Sequence, residues 1–314
     1  MKWVILLFIA TSIISFKFIL LDKWKQTRIA AKRYLELVES SKDIIYYYEL
    51  KPTSKFLYLS PSIEHYLGKG IVAKSYRNPS TPFELIHPDD YKILESKVNG
   101  ELDYSQTVIQ RWKNDKGTYC WFEEYATPIY QNGEVKAVQG IMRNIDEKVK
   151  LQQELEYRST HDALTGIYNR YYFEKIINRY DLNINKPIAI IVCDLDDLKY
   201  MNDNYGHKKG DELILNTATF LKNFSGYKQT VARIGGDEFA IILADLDKVT
   251  AQQTYQKLGG EIIKYNEDNH TPINISIGFS FTEHSLGKME KLFNEADKRM
   301  YENKQFKKSI SISV

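Results

Sequence analysis

Cysteine is scarce: only Cys120 and Cys193 occur in 314 residues, far apart and outside any CxxC or metal-finger spacing. That excludes a disulfide framework and fits a reducing compartment. An excess of one charge is missing too. The 43 Lys and Arg against 41 Asp and Glu leave a net +2, which argues against a general nucleic-acid binder. Composition is ordinary for a globular protein, with 43% hydrophobic and 27% charged residues, so no long disordered segment is called for. Long hydrophobic runs are absent after the N-terminus.

The one such run is WVILLFIATSIISFKFILL, Trp3 to Leu21, which holds a single charge, Lys17. About 20 apolar residues span a bilayer core, and a lysine near one end can snorkel to the interface. A secretory signal peptide is the competing reading, but no convincing small-x-small cleavage site follows. Lys23, Lys25, Arg28, Lys32 and Arg33 come after the run and only Lys2 before it. The expectation is a single-pass anchor over 1–22 and a basic juxtamembrane segment over 23–33, with the rest cytoplasmic. The basic residues alternatively hug anionic lipid.

From about Tyr34 to Asp146 the pattern is short strands with turn signals. DIIYYYEL (Asp43 to Leu50) and FLYLSP (Phe56 to Pro61) read as aromatic-rich strands, and TVIQ onward reads as three more. Hairpin tips are expected at Asn114-Asp115-Lys116-Gly117 and at Gln131-Asn132-Gly133. Helical material lies between the two β groups, giving a mixed module with an antiparallel sheet. Glu147 to Ser159 is charged and helix-favouring, with Val149, Leu151 and Leu155 as a thin apolar stripe. Two heptads do not establish a coiled coil. A solvated connecting helix and a relay helix fit equally.

The order of the 34–146 elements resembles a PAS sensor domain, through FELIHPDDYKIL (Phe83 to Leu94) and the closing pair WFEEYATPIYQNGEVKAVQGIMRNID. The resemblance implies a small-molecule, cofactor or dimerisation module without naming its ligand. His87, before Pro88, reads as a turn or capping residue rather than a haem ligand. The tyrosines and tryptophans read as core.

In the last half, Ile188 to Cys193 is an uninterrupted apolar run of strand length that ends in Asp194-Leu195-Asp196-Asp197. Carboxylates just past a buried strand suit Mg²⁺, which takes a couple of carboxylates plus phosphate oxygens and water. Helix capping is the bland alternative for any one of them. A second acidic pair, Asp237-Glu238, follows Gly235-Gly236 in VARIGGDEFAIIL. Taken alone this is a hairpin whose glycines supply positive φ. Two acidic clusters, both flanked by core-like runs, instead suggest one site at a sheet edge.

These residues resemble the GGDEF family, the diguanylate cyclases. Gly235, Gly236, Asp237, Glu238 and Phe239 form its signature. DLDDLKYMNDNYGHKKGD matches the run D-x-D-x-F-K-x-x-N-D-x-x-G-H-x-x-G-D with Leu198 where phenylalanine is usual; DALTGIYNR, NISIGFS and EADKRMYENK follow the family at the right spacing. The fold class expected is α+β: a transmembrane helix, a PAS-like antiparallel-sheet domain over 34–146, a signalling helix over 147–159, and a palm-like domain over 160–314 with a mostly antiparallel sheet wrapped by helices.

The resemblance implies that two GTP condense into cyclic di-GMP across a homodimer, releasing two pyrophosphates. It implies Mg²⁺ or Mn²⁺, two ions per GTP site, held by Asp194, Asp237 and the Leu195 carbonyl, with Glu238 assisting. Asp237 also takes the proton-acceptor position and Lys199 the lysine that stabilises transition-state charge. Asn202 and Asp211 match the guanine-reading pair. His207 is a substrate contact, and Lys304 and Lys308 bind phosphate, with amides around Asp197 and Leu198 cradling it. Lys308 stands where arginine is frequent and lacks the bidentate fork. Arg233 is expected to support the hairpin. The bland readings make Asn202 a turn residue and Asp211 a helix N-cap. The inhibitory product site, R-x-x-D, is replaced by Gly226-Tyr227-Lys228-Gln229, so no product inhibition through it is expected.

No EAL-type domain is present, so hydrolysis of the product is not expected. The partners implied are GTP, a second copy, a bacterial cytoplasmic membrane and downstream cyclic di-GMP receptors. The alternatives are a catalytically silent GTP receptor, a scaffold acting by protein contact, and a cyclase for another nucleotide, the last disfavoured by Asp211.

Overall fold

The computed structural model describes residues 2–224, 229–269 and 271–312, with side chains from 16 to 310. The chain divides into two compact units, Met1–Leu151 and Gln152–Val314.

The first unit opens with α1 (Lys2–Glu39), one continuous helix. Phe16, Phe18, Ile19, Leu20 and Leu21 are exposed on it. Among the described residues no helix is long and apolar enough to cross a membrane. Most of the expected span, residues 3–15, lies where side chains are outside the description.

Next come β1 (Ile44–Glu49), β2 (Lys55–Leu59), α2 (Ile63–Leu67), α3 (Ile71–Arg77) and α4 (Tyr91–Asn99), then β3 (Val108–Lys113), β4 (Tyr119–Gln131) and β5 (Glu134–Asn144). The sheet order is β2-β1-β5-β4-β3, antiparallel throughout. Period-two alternation puts Ile44, Tyr46 and Tyr48 of β1 and Phe122, Glu124 and Ala126 of β4 inward, where α2, α3 and α4 supply Ile63, Leu67, Ile71 and Leu94. The β4–β5 tip has positive φ at Asn132 and Gly133, the pair a type I′ hairpin needs. His87 Nδ1 accepts from the Asp89 N–H at 3.2 Å and so caps the short turn Pro88–Asp90.

Alternation also draws charge inside. The Glu124 carboxylate is fully buried and accepts from Lys97 Nζ at 2.8 Å on both oxygens, from Gln110 Nε2 at 2.7 Å and from the Tyr46 hydroxyl. Burial, and then the Glu124 charge, raise Tyr46 well above the ordinary phenol range, so it remains a donor.

Helix α5 (Asp146–Thr160) buries no side chain. The second unit continues with β6 (Tyr168–Asn169), α6 (Arg170–Leu182), β7 (Ile188–Leu195), α7 (Leu198–Tyr205), α8 (His207–Phe224), β8 (Gln229–Arg233), β9 (Glu238–Ala244), α9 (Lys248–Asp268), β10 (Ile275–Thr282) and α10 (Met289–Ile312). Its sheet runs β10-β7-β9-β8-β6, with only the β6–β8 pair parallel. All eight residues of β7 are buried. Ala189, Ile191, Cys193 and Leu195 pack under α8 and α9, while Ile188, Ile190 and Val192 pack against α6 and α10. Burial pushes the Cys193 thiol up to about 12, which leaves it an inert core residue.

Helix α10 lies directly on β10 at Gly278. A Cβ there would stand 2.1 Å from the Ala296 carbonyl oxygen and 2.2 Å from the Met300 nitrogen. Both are backbone atoms and cannot swing aside. Gly278→Ala is therefore expected to destabilise the protein by about 1–3 kcal/mol through overpacking, read as a lower midpoint in urea unfolding.

Candidate active site

The end of β7 is where three separated segments meet. Leu195 N–H donates to the Asp237 carbonyl at 2.8 Å and Asp196 N–H to the Asn274 carbonyl at 2.7 Å, so the strand end is tied to both the β8–β9 hairpin and the approach to β10. Asp194 lies opposite Glu238 on β9 and Ser276 on β10. Asp197 then takes a left-handed conformation (φ 64, ψ 12) that turns the chain into α7. Strain of that kind in a non-glycine residue is held by surrounding structure and clusters at functional sites.

The hairpin closes with Ile234 and Gly235 N–H groups on the Glu238 carbonyl, at 2.9 and 3.2 Å. Neither Gly235 nor Gly236 has φ in the left-handed region, contrary to the expectation for this turn. Gly235 is needed for space instead: a Cβ would come within 2.4 Å of Glu238 Oε2. Arg233 braces the tip. Its Nη2 donates to the Gly236 carbonyl at 2.7 Å and its Nη1 to Asp162 Oδ1 at 3.2 Å.

A cleft of about 780 Å³ opens here, lined by Leu195, Asp197, Leu198, Lys199, Asp237, Lys304 and Lys308 among the residues singled out from sequence. Lys304 Nζ donates to Asp194 Oδ1 at 2.5 Å. Burial alone would lower this ammonium, but the bond to Asp194 and the charges of Asp194, Asp196 and Asp237 raise it. Asp196 accepts from Ser276 Oγ at 2.8 Å and lies 3.6 Å from Lys307 Nζ. Its carboxyl is raised, chiefly by burial.

Other expected residues fall outside the cleft lining. Glu238 borders a separate pocket with Arg170, Asp181, Glu290 and Asp297. Its carboxyl is raised by burial and then by Asp237 and Asp194. Adjacent residues of a hairpin point to opposite sides, which separates it from Asp237. Asn202 sits within α7 rather than in a turn, and Asp211 is the fifth residue of α8 rather than its cap. The two are neighbours all the same: a Cβ at Gly210 would stand 2.0 Å from Asn202 Oδ1. His207 opens α8 and is exposed.

Two family models match this chain. Residues 159–309 match the one described as diguanylate cyclase, GGDEF domain, and residues 56–142 the one described as PAS fold. Residues 159–309 are a GGDEF domain. The diguanylate cyclase DgcM of Escherichia coli (strain K12) is 30% identical over 185 residues, 58% of this chain and 45% of that protein. The diguanylate cyclase DgcN of the same strain is 36% identical over 151 residues, 46% of this chain and 36% of that protein. The chain thus spans less than half the length of these relatives. Among solved structures, the coiled coil and GGDEF domain of DgcB from Caulobacter crescentus in complex with c-di-GMP is 22% identical, covering 51% of this chain and 88% of that one, with a TM-score of 0.46.

The GGDEF domain's cleft also holds residues that the motif alone did not single out: Tyr200, Asn274 and Lys307. Lys307 was within reach, because i, i+3 and i+4 spacing places Lys304, Lys307 and Lys308 on one helix face. Asn274 was not, since its place depends on the β7–β10 register. Relatives of the GGDEF cyclase type imply a divalent cation in general. Among the described residues no group of three His, Cys, Asp or Glu side chains is gathered for a metal. The Asp194 and Asp237 pair fits an ion that arrives with a nucleotide, because Mg²⁺ is commonly held by one or two carboxylates and completed by phosphate oxygens and water. The positions Gly226, Tyr227 and Lys228, read as lacking the inhibitory motif, lie outside the described residues.

Proposed function

We infer that the chain is a diguanylate cyclase, condensing two GTP into cyclic di-GMP and two pyrophosphates across a homodimer, with the PAS domain as its regulator. The observation that carries this is one cleft lined by Asp237, Lys199, Lys304 and Lys308, with the Asp194–Lys304 pair at its edge. Carboxylates for a cation and ammonium groups for phosphates stand side by side, as a triphosphate requires.

Asp194, Asp237 and the Leu195 carbonyl would hold Mg²⁺ or Mn²⁺, two ions per GTP. When bound, these ions neutralise triphosphate charge and lower the pKa of the attacking hydroxyl. Lys304 and Lys308 draw the β- and γ-phosphates, and Lys199 faces the charge that develops at the α-phosphate. Asp237 accepts the proton as the 3′-oxygen of one GTP bonds to the α-phosphorus of the other and the bond to pyrophosphate breaks. Asn202 and Asp211 read guanine, whose N1–H and exocyclic amine are both donors. Adenine has no such pair.

Gly210 supports that reading by leaving room for Asn202. Gly210→Ala is expected to displace the Asn202 amide and raise KM for GTP roughly 2- to 10-fold, the range of one lost hydrogen bond. The check is a KM and kcat determination beside a thermal melt.

The test of the function itself is to incubate the full chain with GTP and Mg²⁺ and identify products by mass. Cyclic di-GMP supports the cyclase, and adding it at the start leaves the rate unchanged if no product site operates. GTP binding without turnover supports the second reading, a silent receptor or scaffold. The Lys304–Asp194 bond favours that reading, because a lysine already neutralises the first carboxylate. The apolar run Trp3–Leu21 and its basic flank support a single-pass anchor in a bacterial cytoplasmic membrane, which sedimentation of the chain with membranes tests.

A further inference from the structure

The PAS-fold unit contains a cavity of about 40 Å³ between its sheet and helices, lined almost wholly by apolar and aromatic side chains. At roughly 10–15 Å³ for each water, that is room for about three waters or one compact molecule. Trp112 lines it and is 4% exposed, and its Nε1–H is buried without a hydrogen-bond partner. An indole N–H is a donor only, so whatever satisfies it must present an acceptor.

The charged groups at the same cavity are already closed on themselves. Lys97 and Glu124 both line it, and Glu124 accepts from Lys97, Gln110 and Tyr46. A further charge in this space would have no counter-ion, which is strongly unfavourable in an apolar interior. An approach exists: an outer cleft of about 570 Å³ shares Tyr48, Leu50, Phe83, Leu94 and Val98 with the cavity wall. Phe83 stands between them, its ring 5.3 Å from Tyr48 and 6.5 Å from Trp112.

We propose that this cavity binds a small, neutral, mainly apolar molecule carrying one hydrogen-bond acceptor, which Trp112 Nε1–H recognises and which enters past Phe83. The proposal stands on the cavity alone and does not depend on the cyclase reading.

The test is calorimetric titration of the full chain with three probes of like shape: cyclobutanone, methylenecyclobutane and cyclobutanecarboxylate. Cyclobutanone is expected to bind about 2- to 10-fold more tightly than methylenecyclobutane, the worth of one neutral hydrogen bond. The carboxylate is expected not to bind. In Trp112→Phe the two neutral probes should become equal. Equal binding of the neutral probes to the parent protein, or a preference that survives in Trp112→Phe, overturns recognition by the indole. Binding of the carboxylate as tight as the ketone overturns the neutral class, and binding of none overturns the site. The comparison on the parent protein decides even if Trp112→Phe does not fold.

Discussion

Replacing Asp237 with alanine is expected to reduce cyclic di-GMP formation by about 10²–10⁴-fold, the usual contribution of a positioned proton acceptor. The side chain lines the cleft, while its backbone carbonyl accepts from Leu195 N–H. Alanine keeps that carbonyl, so the tie between β7 and the hairpin survives. The melting temperature should move little, since the side chain is partly exposed and outside the core clusters. Product quantified by mass spectrometry, together with a melt, separates chemistry from folding. Unchanged turnover in a folded Asp237→Ala protein would remove the cyclase mechanism derived above.

The largest expected effect on stability lies in the other unit. Glu124→Ala leaves the Lys97 ammonium buried and unpaired, at 8% side-chain exposure. Removing one partner of a buried pair costs about 3–5 kcal/mol. For a unit of this size that corresponds to a fall in Tm on the order of 10–20 °C. The Tyr46 hydroxyl and Gln110 amide lose an acceptor as well. Adding Lys97→Met to Glu124→Ala removes the stranded charge but not those orphaned donors, so recovery should be partial. Calorimetry that resolves the transition of the PAS-fold unit checks both. Equal melting of Glu124→Ala and the parent would mean that water reaches the pair and that it is not a core interaction.

Local patterns made part of this legible. The Ile188–Cys193 run is long enough for a strand and too short for a helix, and β7 follows it with two residues more. Asn132-Gly133 specifies a tight hairpin because both residues tolerate positive φ, and both adopt it. The acids after β7 and on the hairpin converge as their flanking core strands suggested, because Leu195 binds the Asp237 carbonyl.

Long-range geometry was not legible. The Arg233–Asp162 brace joins positions 71 residues apart, and nothing local to either residue announces it. Gly235 was read through backbone freedom, whereas what excludes a larger residue is the Glu238 side chain. Glu124 differs from Glu123 only by strand parity. One step along β4 separates an exposed flank from a fully buried acceptor, and charge alone points both outward.

The cleft draws on strand β7 and on helix α10, with Asp194 and Lys304 separated by 110 positions. Helix α10 also supplies Met289, Leu292, Ala296 and Met300 to one side of the sheet. Core and phosphate grip therefore share one terminal element. A nascent chain cannot display half a site while the ribosome is still making its end, and a protease that clips α10 away cannot leave a weakened enzyme behind. Competence arrives, and departs, with the closing helix.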